Sequence, residues 1–263
     1  MKYRLLAFVP LVFALVLGGA ALAFPGSQET VLTVQAESGK LLDFIGCLAA
    51  ALAFERGDYL SRAWFTYGSC SLLLVVKDAI GEGGSPTTGL VRGLVVLAAN
   101  TLLAVGVFML ARAWSVAGLV DDPKARARRR AMFAVAALAS LAVTGWPLVH
   151  DVQSLLGGRF EALVSIASDL GDAVGLALLA PLATTALALR GGVLRWPWTF
   201  ITLAGVTWLA YDVSSGLIDH WHVGPGLALV GSEALRGAAN LFAFSAGIAQ
   251  RLAVAPDEVH AAS

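Results

Sequence analysis

Charge is what this sequence has least of. Of its 263 residues only 14% are charged, whereas 58% are hydrophobic and the mean hydropathy is +0.77. A soluble domain carries roughly a quarter charged residues, so the composition sets aside an ordinary soluble protein and points to an integral helical membrane protein. Cysteine is nearly absent. Cys47 and Cys70 both lie in apolar stretches and no Cys-x-x-Cys occurs, so they read as small packing residues rather than a redox or metal centre. No lysine follows Lys124, which sets aside a retinal protein with its chromophore on a last-helix lysine. No phosphate-binding glycine loop is evident, and Gly81-Glu82-Gly83-Gly84-Ser85-Pro86 reads as a loop between helices. Basic and acidic residues balance at 18 each, so net charge favours no partner.

What is present is a series of long apolar runs, several reaching the ~20 residues that span a bilayer core. Residues 1–23 carry Lys2 and Arg4, an apolar run and a closing Ala21-Leu22-Ala23, the pattern of a signal peptide or of a first transmembrane helix. An outer linker, 24–40, is expected next. Seven further helices follow, at about 41–55, 61–80, 90–113, 129–150, 161–189, 198–218 and 227–250. Alternate ends of these segments gather Lys2/Arg4, Arg56/Arg62, the run 124–130, Arg190/Arg195 and Arg251. Positive residues stay on the cytoplasmic side, so the tail 252–263 is expected there, in what reads as a bacterial inner (plasma) membrane. The basic residues of 124–130 are expected to meet anionic lipid headgroups; so short a loop does not suggest nucleic acid. Trp64, Trp114, Trp146, Trp196 and Trp221 fall near helix ends, where an interfacial aromatic belt is expected.

Two stretches read like copies. Arg62-Ala63-Trp64, Asp78, Ala98-Ala99-Asn100 and Arg112 are echoed by Arg195-Trp196-Pro197-Trp198, Asp212, Ala238-Ala239-Asn240 and Arg251, with Trp and Asp fourteen residues apart in both. Three-helix units at 41–113 and 161–251, joined through 114–160 with its basic loop and one linker helix, are parallel repeats. Such repeats place a binding site at their interface. The fold class expected is an all-α transmembrane bundle of seven helices, 3+1+3, plus the N-terminal segment. This plan resembles the SWEET and PQ-loop transporters. Pro181-Leu182, Pro197, Gly205-x-x-Trp208-x-x-Tyr211 and Pro225 carry the likeness, which implies solute transport with Asn100 and Asn240 as paired asparagines. The chain departs from that family in having no Pro-Gln pair and in placing Gly226 where the family has asparagine.

The polar residues inside the helices converge on one half of the membrane. At 1.5 Å per residue, Asp43, Asp78 and Arg92 are expected in the first outer turn. Asp169 and Asp172 fall roughly 12–17 Å deep, Asp212 and Glu233 about 9 Å, and Arg236 about 14 Å, with Asn100 and Asn240 near mid-membrane. Glu233, Arg236 and Asn240 share a helix face by their i, i+3, i+7 spacing. An ionisable residue in a bilayer faces the bundle interior and a partner. The substrate-binding residues expected are therefore Asn100, Asp169, Asp172, Trp208, Tyr211, Asp212, Glu233, Arg236 and Asn240, lining an outward-open cavity for a small solute and requiring no cofactor. A buried network that only fixes helix register is the plainer reading of the same residues.

Two other classes stay open: a membrane sensor or assembly module binding a ligand in the same cavity, and a membrane enzyme. For the latter, Ser165-Ile166-Ala167-Ser168-Asp169-Leu170-Gly171-Asp172 and Tyr211-Asp212 resemble the motifs of intramembrane aspartyl proteases, in reversed order. His150, His220 and His222 offer a short metal-binding pattern. Neither assigns a catalytic residue or a metal ligand, and self-association into a homo-oligomer is left open.

Overall fold

The computed structural model describes residues 2–81, 86–116, 123–159, 162–189, 192–221 and 226–254, all helical or in short turns. A short helix α1 (Lys2–Leu6) leads into α2 (Phe8–Ala23). A 3-10 turn at Pro25–Ser27 reverses the chain into α3 (Gln28–Ala51). Then come α4 (Tyr59–Ile80), α5 (Pro86–Val116), α6 (Pro123–Leu156), α7 (Ala162–Ala188), α8 (Arg195–His220) and α9 (Leu227–Val254). Five of these segments are long and apolar enough to cross a membrane: Lys2–Ala23, Thr87–Ala113, Arg126–Leu156, Ser165–Ala188 and Arg195–Ile218.

Six helices close a ring. Helix α3 packs on α4, α4 on α5, α5 on α7, α7 on α8, α8 on α9, and α9 returns to α3. Two helices stand outside it, α2 against α9 and α3, and α6 against α7. The contacts fix the directions. From α3 to α9, Gln35 meets Glu233, Gly39 meets Asn240 and Gly46 meets Phe244, so these two run parallel. From α3 to α4, Lys40 meets Asp78, Asp43 meets Ser71 and Cys47 meets Gly68, so these run antiparallel.

The outer two helices show why the arrangement suits lipid. Leu15 and Val16 of α2, and Val135, Leu138 and Leu141 of α6, are all more than half exposed. Helices α3 and α9, which carry more polar residues, are the most buried in the ring. Apolar residues outward and polar residues inward is the reverse of a soluble protein and the pattern a bilayer demands.

The core fills one half of the ring, toward the ends that carry Arg56, Arg62, Arg195 and Arg251, here called the basic end. It joins Cys47, Ala50, Trp64, Tyr67, Leu110, Leu182, Phe200, Ile201, Ala243, Ala246 and Ala249. Small residues let the backbones close in where apolar association supplies no drive of its own. Tyr67 lies against Gly106, and a Cβ on Gly46 would sit 2.6 Å from the Phe244 Cα. At the same end Tyr59 donates to the Met109 carbonyl at 2.9 Å, and Tyr3 stacks on Trp196 with ring centres 6.3 Å apart.

Two expectations are corrected here. The segment 24–40, expected as a linker, is helical from Gln28 onward. Its Gln35 and Lys40 looked too polar for a lipid-facing span, but they lie in the bundle, 1% and 6% exposed, with partners on α9 and α4. Trp64, expected in an interfacial belt, is fully buried in the core, whereas Trp146 and Trp221 are exposed.

Candidate functional site

Beyond the core, toward the end opposite the basic one (the far end), the ring opens into a cavity of about 350 Å³ walled by all six helices. Its floor is apolar, formed by Leu103, Val107, Leu179, Leu182 and Ile201. Above the floor lies a polar belt of Asp43, Ser71, Asn100 and Asn240, with Tyr67 and Trp208 as aromatic walls. Asp212 and Lys77 stand nearest the far end. The levels agree across helices. Asp43 is fifteen residues in from Gln28, Asn100 fourteen from Pro86 and Asn240 thirteen from Leu227, which places all three about 20 Å deep.

The belt is held from behind. The Asp43 carboxylate, 2% exposed, accepts from Ser71 Oγ at 2.6 Å and from Cys47 Sγ at 3.3 Å. Among the described residues no cation pairs with it. The two asparagines lean on glycines of the facing helices. A Cβ on Gly39 would lie 3.1 Å from Asn240 Nδ2, and one on Gly171 would lie 3.4 Å from Asn100 Cβ. Both amide nitrogens, Asn100 Nδ2 and Asn240 Nδ2, are buried without a hydrogen-bond partner among the described residues. Such a group costs about 1–3 kcal/mol if nothing ever satisfies it. The two stand on opposite walls of the cavity, on α5 and α9, where a ligand's acceptor atoms would complete them.

A second cavity, of about 560 Å³, opens at the far end between α3, α4 and α9. It is a vestibule of ion pairs. Lys40 Nζ binds both Glu37 Oε1 at 2.6 Å and the Asp78 carboxylate, Lys77 Nζ binds Asp78 Oδ1 at 2.6 Å, and Arg236 pairs with Glu233. Arg236 also lies 5.5 Å from the centre of the Tyr211 ring, which meets Trp208 edge-on at 5.4 Å. Lys77 borders both cavities, so the vestibule and the central chamber share a wall at its side chain.

The expected site residues separate into groups. Asn100, Trp208, Asp212 and Asn240 line the central cavity; Glu233 and Arg236 line the vestibule. Tyr211 joins the two through its ring contacts. Asp169 lines neither. The Asp172 side chain, with the His220 side chain, His222, Pro225 and the tail past 254, lies outside the described residues. Sequence reasoning missed Asp43, Tyr67, Ser71 and Lys77. The signal for Asp43 was its spacing from Gly39 and Gly46, small residues on a helix that begins at 28 rather than 41. No group of His, Cys, Asp and Glu among the described residues has metal-binding geometry. No family model, curated protein or solved structure matches the chain.

Proposed function

We propose that this protein carries a small polar solute across a membrane, taking it from the far end through the vestibule into the central cavity. The observation that supports this most is the pair of amide nitrogens, Asn100 Nδ2 and Asn240 Nδ2, without a partner among the described residues, at one depth in a chamber large enough for a small molecule. Ligand pockets begin at about 300 Å³ and combine apolar walls with a few fixed polar groups. In this reading all eight long helices span the bilayer, the basic end faces the cytoplasm, and the exposed Lys124, Arg126 and Arg128 on α6 rest on anionic headgroups.

The repeat also belongs to the proposal. Helices α3–α5 and α7–α9 act as parallel units related about an axis along the membrane normal, each preceded in the chain by one outer helix, and each unit's asparagine meets the other unit's glycine. Alternating access follows from rocking one unit against the other, as the likeness to SWEET and PQ-loop transporters implies. The packed core is then the closed gate on the cytoplasmic side. The test is a flux screen in liposomes with sugars, amino acids, amines and small anions, with and without a pH gradient. Flux that disappears in Asn240→Ala supports the reading. No flux of any solute, from protein shown to be folded, overturns it.

A further inference from the structure

Within the proposed solute cavity, and resting on that reading, we infer that the solute is a small amphiphilic organic cation whose ammonium group takes Asp43 as its counter-charge in place of a proton. Among the described residues, every cation lining the vestibule is already held: Lys40 by Glu37 and Asp78, Lys77 by Asp78, Arg236 by Glu233. Asp43 is the contrary case. It is 98% buried, borders the cavity, and has among the described residues only the neutral donors of Ser71 and Cys47. A carboxylate accepts up to about four hydrogen bonds, so its two oxygens retain acceptor capacity toward a ligand.

An uncompensated carboxylate at this depth is costly. It is relieved by a proton or by a cation, and the two compete for the same oxygens. The surroundings suit an organic ammonium better than a hydrated metal ion. Tyr67 and Trp208 supply aromatic faces for cation–π contact, and the floor of Leu103, Leu182 and Ile201 accepts an apolar tail. Asn240 Nδ2, without a partner among the described residues, would donate to an acceptor atom on the same molecule. Exchange of a proton for an ammonium at Asp43 makes the cycle an antiport: one leaves the carboxylate as the other arrives, and no charge is left unpaired. The other titratable groups around Asp43 are Cys47 and, one turn toward the far end, Lys40 on its own helix, Tyr67, Cys70 and Lys77 on α4, and Asp212 across the cavity. Helix α9 presents Asn240 at that level and the Glu233–Arg236 pair nearer the far end, and α2 has no titratable side chain between Phe8 and Ala23.

The experiment is calorimetry on the full chain in lipid nanodiscs with three probes that share one ring and differ in head group: phenethylammonium, phenethyl alcohol and hydrocinnamate. Phenethylammonium is expected to bind at least about tenfold tighter than the other two, a difference of about 1.4 kcal/mol. Its affinity should fall as pH is lowered, because protons compete at Asp43, and should drop about tenfold or more in Asp43→Asn. Equal or tighter binding of the alcohol or the carboxylate, or an unchanged ammonium affinity in Asp43→Asn, overturns the cation assignment while leaving a solute cavity in place. Binding of none of the three overturns both. Should Asp43→Asn not fold, the head-group order and its pH dependence in the wild-type protein decide the matter.

Discussion

Replacing Gly247 by alanine tests how the ring closes. Gly247 on α9 faces Gly46 on α3, and a Cβ there would overlap the Gly46 carbonyl group and lie 2.8 Å from Cys47 N. These are backbone atoms, so no flexible side chain swings away and the two helices must separate. Overpacking of this kind costs about 1–3 kcal/mol. Alanine also raises helix propensity over glycine by up to about 1 kcal/mol, which would mask part of the cost. Gly231, on the same helix, has nothing within 4 Å of its Cβ position and supplies the control. Gly231→Ala takes the propensity gain alone, so the difference between the two variants isolates the overpacking, about 1–3 kcal/mol. That is a factor of roughly 5 to 150 in the unfolding equilibrium. The assay is unfolding of the purified protein in mixed micelles by titration with a denaturing detergent, the three proteins in parallel. If Gly247→Ala is as stable as Gly231→Ala, the α3–α9 crossing is not the tight contact described, and the closed ring fails with it.

Other perturbations follow from the same geometry. The Lys40–Asp78 pair joins α3 to α4 with side chains 8% and 28% exposed. A double-mutant cycle with Lys40→Met and Asp78→Asn should give a coupling of about 1 kcal/mol, and a value near zero would remove that pair as a structural tie. Gly39→Ala presses a methyl toward Asn240 Nδ2; solute affinity should fall while stability changes by less than about 1 kcal/mol, and equal affinity would show that Asn240 does not touch the solute. Ser71→Ala removes a donor from Asp43 and should shift the pH at which ammonium binding is half lost, with no shift placing Asp43 outside the binding step.

Much of the helix order was legible because lipid-facing spans advertise themselves by apolar length. The runs in α2, α5, α6, α7 and α8 are such spans, and the alternation of basic ends gives their directions. What hydropathy hides is the inner helix. Helix α3 owes its place to Gly39 and Gly46 against α9, and its Gln35, Lys40 and Asp43 face protein and cavity rather than lipid. Reading it as starting at 41 placed Asp43 at the surface, when it lies about 22 Å inside and forms part of the belt. Asn100 and Asn240 were legible because each closes an Ala-Ala-Asn triplet, at 98–100 and 238–240. Asp169 could not be sorted from Asp212 by depth alone. Which face of α7 or α8 turns to the cavity depends on the ring order, and that order comes from packing.

The most direct test of the central claim uses a native thiol. Both cysteines are buried, but Cys70, 4% exposed, borders the cavity, whereas Cys47 is 0% exposed with its thiol on Asp43. In liposomes of known orientation carrying the Cys47→Ala protein, a membrane-impermeant thiol reagent is added from the far side. Cys70 should be labelled from that side, and a transported solute should slow the labelling. A Cys70 that reacts only after denaturation would mean the chamber is closed to solution, and would contradict the account.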